Sequence, residues 1–410
     1  MSQNAELADL GNGFSVYWPG QNIRFLAEYI TRQQSGIFAE FTVLDGEKTL
    51  CEGHRVNLNG DKARVAKKVH EYDGRFKLAD WTVLIESTAV LVLRRYREGE
   101  PLRLLNAGTP VEDLSYQLSP LVFHRKTTIL YGDGGLGKSS LALLCGMLVS
   151  SGESLAGLSA VPGRVLFVDY EDSWDVHVRR MRAIAACHPQ LKAADVRYQA
   201  HHEPLWNIVP MLLRRVQTEQ ITFLILDSLA AATCGDSSAE AATKAFRALR
   251  MLNLGALVLA HIPKATEQQQ ESGIYGSVFF KNFARSTWEL RREQEVGADV
   301  SILGLFNRKS NLSRLHSPLG LTVRQNGTNS SIQYEPCDLG ETIELAKGLP
   351  VASRIVNFLE KDGSLYSAKD IAEAIEIPIG TVKTTLSRHN KMKWHSIGEG
   401  RETKWCVLNR

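Results

Sequence analysis

The stretch that most limits what this chain can fold into is Thr128–Ser140. It reads as a short apolar strand, a glycine-rich turn and a helix that opens at Lys138 and runs to Val149. Gly132, Asp133, Gly134, Gly135, Leu136, Gly137, Lys138 and Ser139 fit the phosphate-binding pattern G-x-x-x-x-G-K-[ST], and Ser140 continues into the helix. The glycines let the backbone curl until successive N–H groups point at one anion. The helix adds its unpaired amino-terminal donors and the positive end of its dipole. Lys138 is suited to reach the β- and γ-phosphates of a nucleoside triphosphate, and the Ser139 hydroxyl to hold Mg²⁺. ATP and Mg²⁺ are therefore the expected ligands.

Four apolar strand candidates with helical segments between them span residues 119–335: Thr127–Tyr131, Arg164–Asp169, Thr222–Asp227 and Ala256–His261. Continuous apolar runs of this kind predict a parallel sheet covered on both faces. Ligands of such sheets sit at the carboxyl ends of the strands. Asp227 follows four apolar residues and is the candidate second anchor for Mg²⁺, against a plain helix-capping aspartate. Glu171 is the candidate general base for an attacking water, with Asp169 and Asp172 as competitors. His261 either contacts the γ-phosphate or is a satisfied core histidine.

Taken in order, the phosphate loop, the glutamate after Val165–Asp169, the run Leu224–Ser228 and Leu259–His261 resemble the RecA-like ATPase core. Within that superfamily the set is most similar to hexameric replicative helicases of the plasmid RepA and DnaB type, including phage and mobile-element versions. The resemblance covers about residues 119–325. It implies a homo-oligomeric ring, expected to be a hexamer, with ATP between subunits and a neighbour's arginine stabilising transition-state charge. Arg308, at the end of the strand-like run Ser301–Lys309, matches the family's finger position, although the usual Lys-x-Arg is replaced by Phe306-Asn307-Arg308-Lys309. Arg285 is the second candidate, and a surface salt bridge is the plain alternative for both. The loops Thr233–Glu240 and Pro263–Gly273 would face a channel holding single-stranded DNA, with Lys264 as a contact. Replication proteins are the further partners implied.

At 410 residues the chain exceeds one ordinary core. Residues 1–118 suggest a small α+β domain without a chemical motif. Three strands (23–31, 36–44 and 49–58) and two helices (62–72 and 81–96) are expected there, with a docking or oligomerisation role open. Residues 336–349 read as a linker. Residues 350–410 resemble a winged helix-turn-helix whose second helix, from Ile379 to His389, would present Thr381, Lys383, Thr384 and Arg388 to DNA, duplex included, with protein docking as the alternative role. A net charge of +3 gives no global argument for nucleic acid, but the surplus is local. From Pro350 onward ten basic residues stand against seven acidic ones.

The six cysteines are scattered without a C-x-x-C pair, and no run approaches a membrane span. The expectation is a cytoplasmic enzyme with no membrane partner. The fold class is α/β: a RecA-like doubly wound parallel sheet, a small N-terminal α+β domain and a C-terminal winged helix-turn-helix. The function expected is an ATP-driven DNA helicase. A DNA-binding ATPase that regulates or loads other factors, and a filament-forming recombinase, are the alternatives.

Overall fold

The structure is a computed structural model that describes residues 5–11, 13–60, 62–99, 102, 104–111, 113–261, 278–326, 330–342, 344–360, 363–390, 392–398 and 403–408. It divides into two compact units. One comprises Met1–Asp113 and Asn207–Gln220, the other Leu114–Trp206 and Ile221–Arg410.

The first unit is an antiparallel meander of β1 (Glu6–Asp9), β2 (Gly13–Trp18), β3 (Ile23–Gln33), β4 (Gly36–Asp45) and β5 (Lys48–Asn57), paired in that order. Alternation along β4 turns Ile37, Ala39, Phe41 and Val43 inward, as a half-covered sheet requires. Helices α1 (Ala63–Tyr72) and α2 (Leu78–Glu98) supply Val65, Val69, Ile85, Ala89 and Val92 to the same core. Trp81 is fully buried there and donates Nε1–H to the Asp73 carbonyl at 3.2 Å. Two strands precede the three expected ones: β1 pairs with β2 and β2 with β3, positions set by their partners and not by local hydrophobicity. From the segment 207–220, Arg214 pairs with Glu28 and lies over the Tyr29 ring at 5.1 Å.

The second unit opens with β6 (Tyr116–Ser119) and β7 (Val122–Phe123), then β8 (Thr127–Gly132) and α3 (Lys138–Ser151). Short strands β9 (Ser154–Leu155) and β10 (Leu158–Ala160) join β6 and β7 in a small sheet. The core continues through β11 (Arg164–Asp169), α4 (Trp174–Cys187), β12 (Val196–Ala200), β13 (Ile221–Asp227), α6 (Leu229–Ala232), α7 (Ala239–Leu252) and β14 (Gly255–His261), while α5 (Leu205–Thr218) belongs from Asn207 onward to the first unit. After α8 (Val278–Phe283) come β15 (Ser286–Glu293), β16 (Val300–Ser310), β17 (Leu319–Gln325) and β18 (Ile332–Cys337). These form one nine-stranded sheet in the order β12-β11-β13-β14-β8-β15-β16-β17-β18.

Strands β12 through β15 pair in parallel and β16 to β18 extend the sheet antiparallel. The fold is thus mixed α/β with a parallel-rich sheet. The four expected apolar strands are all present, and β12 and β15 are added to the parallel set. Helix α3 packs so closely that a Cβ at Gly146 would lie 2.9 Å from the Ile225 side chain. A methyl there would have to displace the end of the Ile225 side chain.

Of residues 336–349, read as a linker, Pro336 and Cys337 end β18, and two 3₁₀ turns follow, Leu339–Glu341 and Leu345–Gly348. Leu339 and Leu345 are buried against Phe306 of β16. The tail comprises α9 (Val351–Glu360), β19 (Tyr366–Ser367), α10 (Ala368–Ala374), α11 (Ile379–Arg388), β20 (Trp394–Ile397) and β21 (Lys404–Val407). Its strands form a three-stranded sheet in the order β19-β21-β20. Ser367 caps α10 in a reciprocal pair with Asp370. Ile355, Leu359, Ile371, Val382, Leu386 and Trp394 make a separate small core. Among the described residues no helix is long and apolar enough to cross a membrane.

Trp394 is fully buried and donates Nε1–H to the Leu386 carbonyl at 2.8 Å, so it is the keystone of the tail core. Trp394→Ala is expected to cost about 3–5 kcal/mol there. Hydrogen exchange would then show amides of 351–408 losing protection while those of β8, β13 and β14 keep theirs. Unchanged protection in the tail would contradict this account of its core.

Candidate active site

The site is assembled by strand register. Asp169 at the end of β11 lies opposite Asp227 at the end of β13, and Gly132 at the end of β8 lies opposite His261 at the end of β14. The sheet order places β14 between β13 and β8, so the residues beyond these four strand ends converge above one edge of the sheet. They line an open groove of about 1120 Å³. Its floor is Gly135–Ser140, with Glu171, Asp227 and His261 at one end. One wall is α4, through Val176, Arg179 and Arg180; the other is β16–β18, through Leu303, Val323, Ile332 and Tyr334.

The phosphate loop follows its sequence pattern. Gly135 and Gly137 have φ of +75° and +88°, in the left-handed region that favours glycine. A Cβ at Gly132 would lie 2.6 Å from the Leu290 carbonyl oxygen, so that position admits no side chain. Asp133, Gly134 and Leu136 complete the turn, and Arg292 of β15 closes over it by donating to the Gly135 carbonyl at 2.8 Å. Lys138 is buried, and Nζ donates to the carbonyls of Gly132 at 3.0 Å and Asp133 at 2.7 Å. Burial lowers its pKa, opposed by Asp227, Glu171 and Asp133. Ser140 meets the Tyr334 hydroxyl at 3.1 Å.

Asp227 is 3% exposed, and the Ser139 hydroxyl hydrogen-bonds its carboxylate. Burial raises its pKa to about 6, helped by Glu171 and Asp169 and opposed by Ser139. A buried carboxylate that accepts from a neighbouring hydroxyl is a hard-oxygen pair that fits Mg²⁺. Among the described residues no group of three or more His, Cys, Asp or Glu could hold a metal alone. The pair therefore suits a cation that also takes ligands from phosphate oxygens and water.

Glu171 accepts a hydrogen bond from the Ser228 hydroxyl, and its Oε1 lies 3.5 Å from His261 Nε2. His261 Nδ1 lies 3.3 Å from Lys138 Nζ. His261 thus bridges the phosphate-loop lysine and the glutamate. Its ring faces the groove, which argues against a purely structural core histidine. The competitors for the base role separate by geometry. Asp169 is fully buried, with both oxygens engaged by His177, Tyr198 and the amides of Glu171 and Asp172. Burial acts to raise its pKa, but these hydrogen bonds outweigh it and hold the carboxyl below the usual range. Asp172 is tied to Arg180 at 3.0 Å. Of the two that line the groove, Asp172 is paired with an arginine and Glu171 is not.

The remaining candidates lie elsewhere. Arg308 donates Nε–H to buried Glu289 at 2.7 Å and stacks on Phe306 at 4.9 Å. Arg285 is exposed, and its carbonyl accepts from Asn311 at 2.9 Å. Thr381, Lys383, Thr384 and Arg388 share the exposed side of α11, opposite buried Val382 and Leu386. The Thr384 hydroxyl is already donated to the Gly380 carbonyl at 2.9 Å. Lys264 lies outside the described residues, as does the loop Pro263–Gly273.

Ser228, Arg292 and Tyr334 are site residues that sequence reasoning missed. Only Ser228 carried a signal, by following Asp227 directly; the others reach the site through sheet pairing across more than a hundred residues.

The raised Asp227 pKa has a defined stability signature. Its contribution to the ligand-free fold is complete below pH about 3.8 and is lost as pH rises through about 6. Asp227→Asn is therefore expected to stabilise the ligand-free protein at pH 8 by about 1–3 kcal/mol, and to add little near pH 4. Urea titrations at the two pH values measure the difference; no gain at pH 8 would contradict the buried charge.

Residues 101–267 match the AAA domain family. Among solved structures, the chain resembles a KaiC-like protein from the hyperthermophilic archaeon Pyrococcus horikoshii OT3, with 16% identity and a TM-score of 0.40, over 55% of this chain and 100% of that one. No curated protein matches. The AAA-domain match, the phosphate loop and the parallel-rich sheet together support a RecA-like P-loop ATPase core.

Proposed function

We propose that this chain is an ATP- and Mg²⁺-dependent DNA helicase or translocase motor that works as a homo-oligomeric ring, a hexamer, in the replication of a plasmid, phage or mobile element. The observation that carries the ring is the place of Arg308. Strand β15 runs parallel to β8 and β16 antiparallel to β15, so β16 ends near the level where β8 begins. Lys309 pairs with Thr287, which pairs with Ile129. Arg308 stands level with the middle of β8, is held against Glu289 and does not line the groove beside its own phosphate loop, so a neighbouring copy's triphosphate is the one it would serve. Lys281, Arg285 and Arg314 are exposed on the same stretch of chain. Lys309 is committed elsewhere, donating to the carbonyls of Lys281, Asn282 and Ala284 at 2.8 Å each.

The chemistry follows from the groove. The loop amides and Lys138 take the β- and γ-phosphates in place of the carbonyls Lys138 now contacts. Ser139 and Asp227 would hold Mg²⁺, which offsets charge on the phosphate oxygens when bound. Glu171 accepts a proton from the attacking water as its oxygen bonds the γ-phosphorus and the bond to the bridging oxygen breaks. His261, between Lys138 and Glu171, is placed to register the γ-phosphate. Arg308 of a neighbour, with Arg285 beside it, would stabilise charge on the transferring group, an effect worth about 10³–10⁵ in rate.

The tail supports the DNA reading. Its three helices and three-stranded sheet fit a winged helix-turn-helix, with α11 offering Thr381, Lys383, Thr384 and Arg388 to a phosphate backbone or groove. In the ring channel, the segment after α6 and the loop carrying Lys264 would grip single-stranded DNA.

Lys138→Ala is expected to abolish ATP turnover; hydrolysis at the parent rate would refute the site. Arg308→Ala should lower kcat about 10³-fold while nucleotide still binds, and mixing it with Lys138→Ala chains should restore partial turnover only if the site is shared. Strand displacement on forked DNA tests the helicase directly. Turnover without unwinding, at either fork polarity, would favour a regulatory or loading ATPase, and filaments in electron micrographs would favour a recombinase.

A further inference from the structure

The hydrolytic scheme makes no use of the cluster around Asp169, although it is the most deeply buried charge at the site. Asp169 is the last residue of β11, and Glu171 is two residues beyond it in the loop that leads to α4. One carboxylate oxygen accepts from the Glu171 amide at 3.0 Å and the Asp172 amide at 3.3 Å, so it fastens the loop backbone. The other accepts from His177 Nε2 at 2.8 Å and the Tyr198 hydroxyl at 3.0 Å. His177 belongs to α4 and Tyr198 to β12.

With Nε2 carrying the proton, His177 Nδ1 is left as an acceptor facing Arg180 Nη1 at 3.5 Å. The His177 ring rests on Phe167 at 4.7 Å and on Tyr198 at 5.5 Å, which restricts its rotation. Tyr198 also lies 3.2 Å from the Asp172 carbonyl. Three elements thus converge on one short loop.

We propose that His177 and Tyr198, acting through Asp169, are positioning residues that set where the Glu171 carboxylate stands relative to Asp227 and the phosphate loop. This rests on Glu171 being the general base. A hydrogen-bonded, water-excluded carboxylate is a stiff anchor because charge-assisted bonds are short and about twice as strong as neutral ones. Glu171 itself is more than a third exposed, so its own packing does not fix it. Displacing a reacting group by about 1 Å costs on the order of 10²-fold in rate. The phosphate loop and Asp227, which bind nucleotide, make no hydrogen bond to His177 or Tyr198 among the described residues. Loss of the anchor should therefore fall on turnover and not on affinity.

The test measures single-turnover ATP hydrolysis, and Kd for a fluorescent ATP analogue, in the full chain. His177→Ala is expected to lower kcat about 100-fold with Kd within about twofold, and His177→Gln, which restores an N–H donor, to recover most of it. Tyr198→Phe deletes a single hydroxyl and should lower kcat about fivefold. In a Glu171→Gln background, His177→Ala should cause no further loss, because both changes act on one group. Unchanged kcat in His177→Ala, or a full additional loss in the Glu171→Gln background, would overturn the proposal. So would a fall in affinity equal to that in kcat without rescue by glutamine. If His177→Ala does not fold, unchanged kcat in Tyr198→Phe overturns it. Glu171→Gln turning over at the parent rate would overturn the base assignment itself and the proposal with it, a separate result from an inactive Glu171→Gln with an unaffected His177→Ala.

Discussion

Everything at the site depends on parallel strands that end level with one another. Asp169 opposite Asp227, and Gly132 opposite His261, bring residues from four separate segments to one edge of the sheet. A slip of one residue in either pair would turn each side chain to the other face. The match has an electrostatic consequence. Three carboxylates, Asp169, Glu171 and Asp227, are gathered in a space that water only partly reaches. Each is handled differently: Asp169 by hydrogen bonds, Glu171 by Ser228 and exposure, and Asp227 by a pKa raised to about 6. The last is an arrangement that a cation would relieve.

The antiparallel half of the sheet does two further jobs. Its near end, with α4, forms the walls of the groove beside the phosphate loop. Beside it, Arg308 and Arg291 are held against the buried carboxylate of Glu289, with both guanidiniums over the Phe306 ring. Gly304 and Gly348 both lie against that ring, and a Cβ at either would lie within 2.8 Å of it. Gly348 belongs to the segment leading into the tail, and Leu339 and Leu345 pack on the same ring. The stretch read as a linker is thus a packed joint between β16 and the tail helices, secured further by Glu293 accepting from the amides of Glu344 and Leu345.

The sequence made the loop chemistry and the parallel strands legible for a physical reason. A phosphate loop needs glycines at particular places, and strands buried on both faces need uninterrupted apolar runs, so both leave local marks. The same holds for Asp227 and Glu171, which stand at or just past the ends of such runs. The antiparallel extension and strands β1, β2 and β12 left weaker marks, because edge and half-covered strands are decided by their partners.

Residue type and spacing alone determined that this chain builds a phosphate loop, a serine hydroxyl beside a strand-end carboxylate, and a parallel-rich α/β sheet around them. Only the tertiary structure decided which carboxylates reach the groove, which of them is tied to an arginine and which is locked beneath. Asp169, Glu171 and Asp172 are neighbours in sequence and equal in charge, and nothing local separates them. His177, Tyr198 and Arg180 do, and they arrive from a helix and a strand whose positions depend on long-range packing.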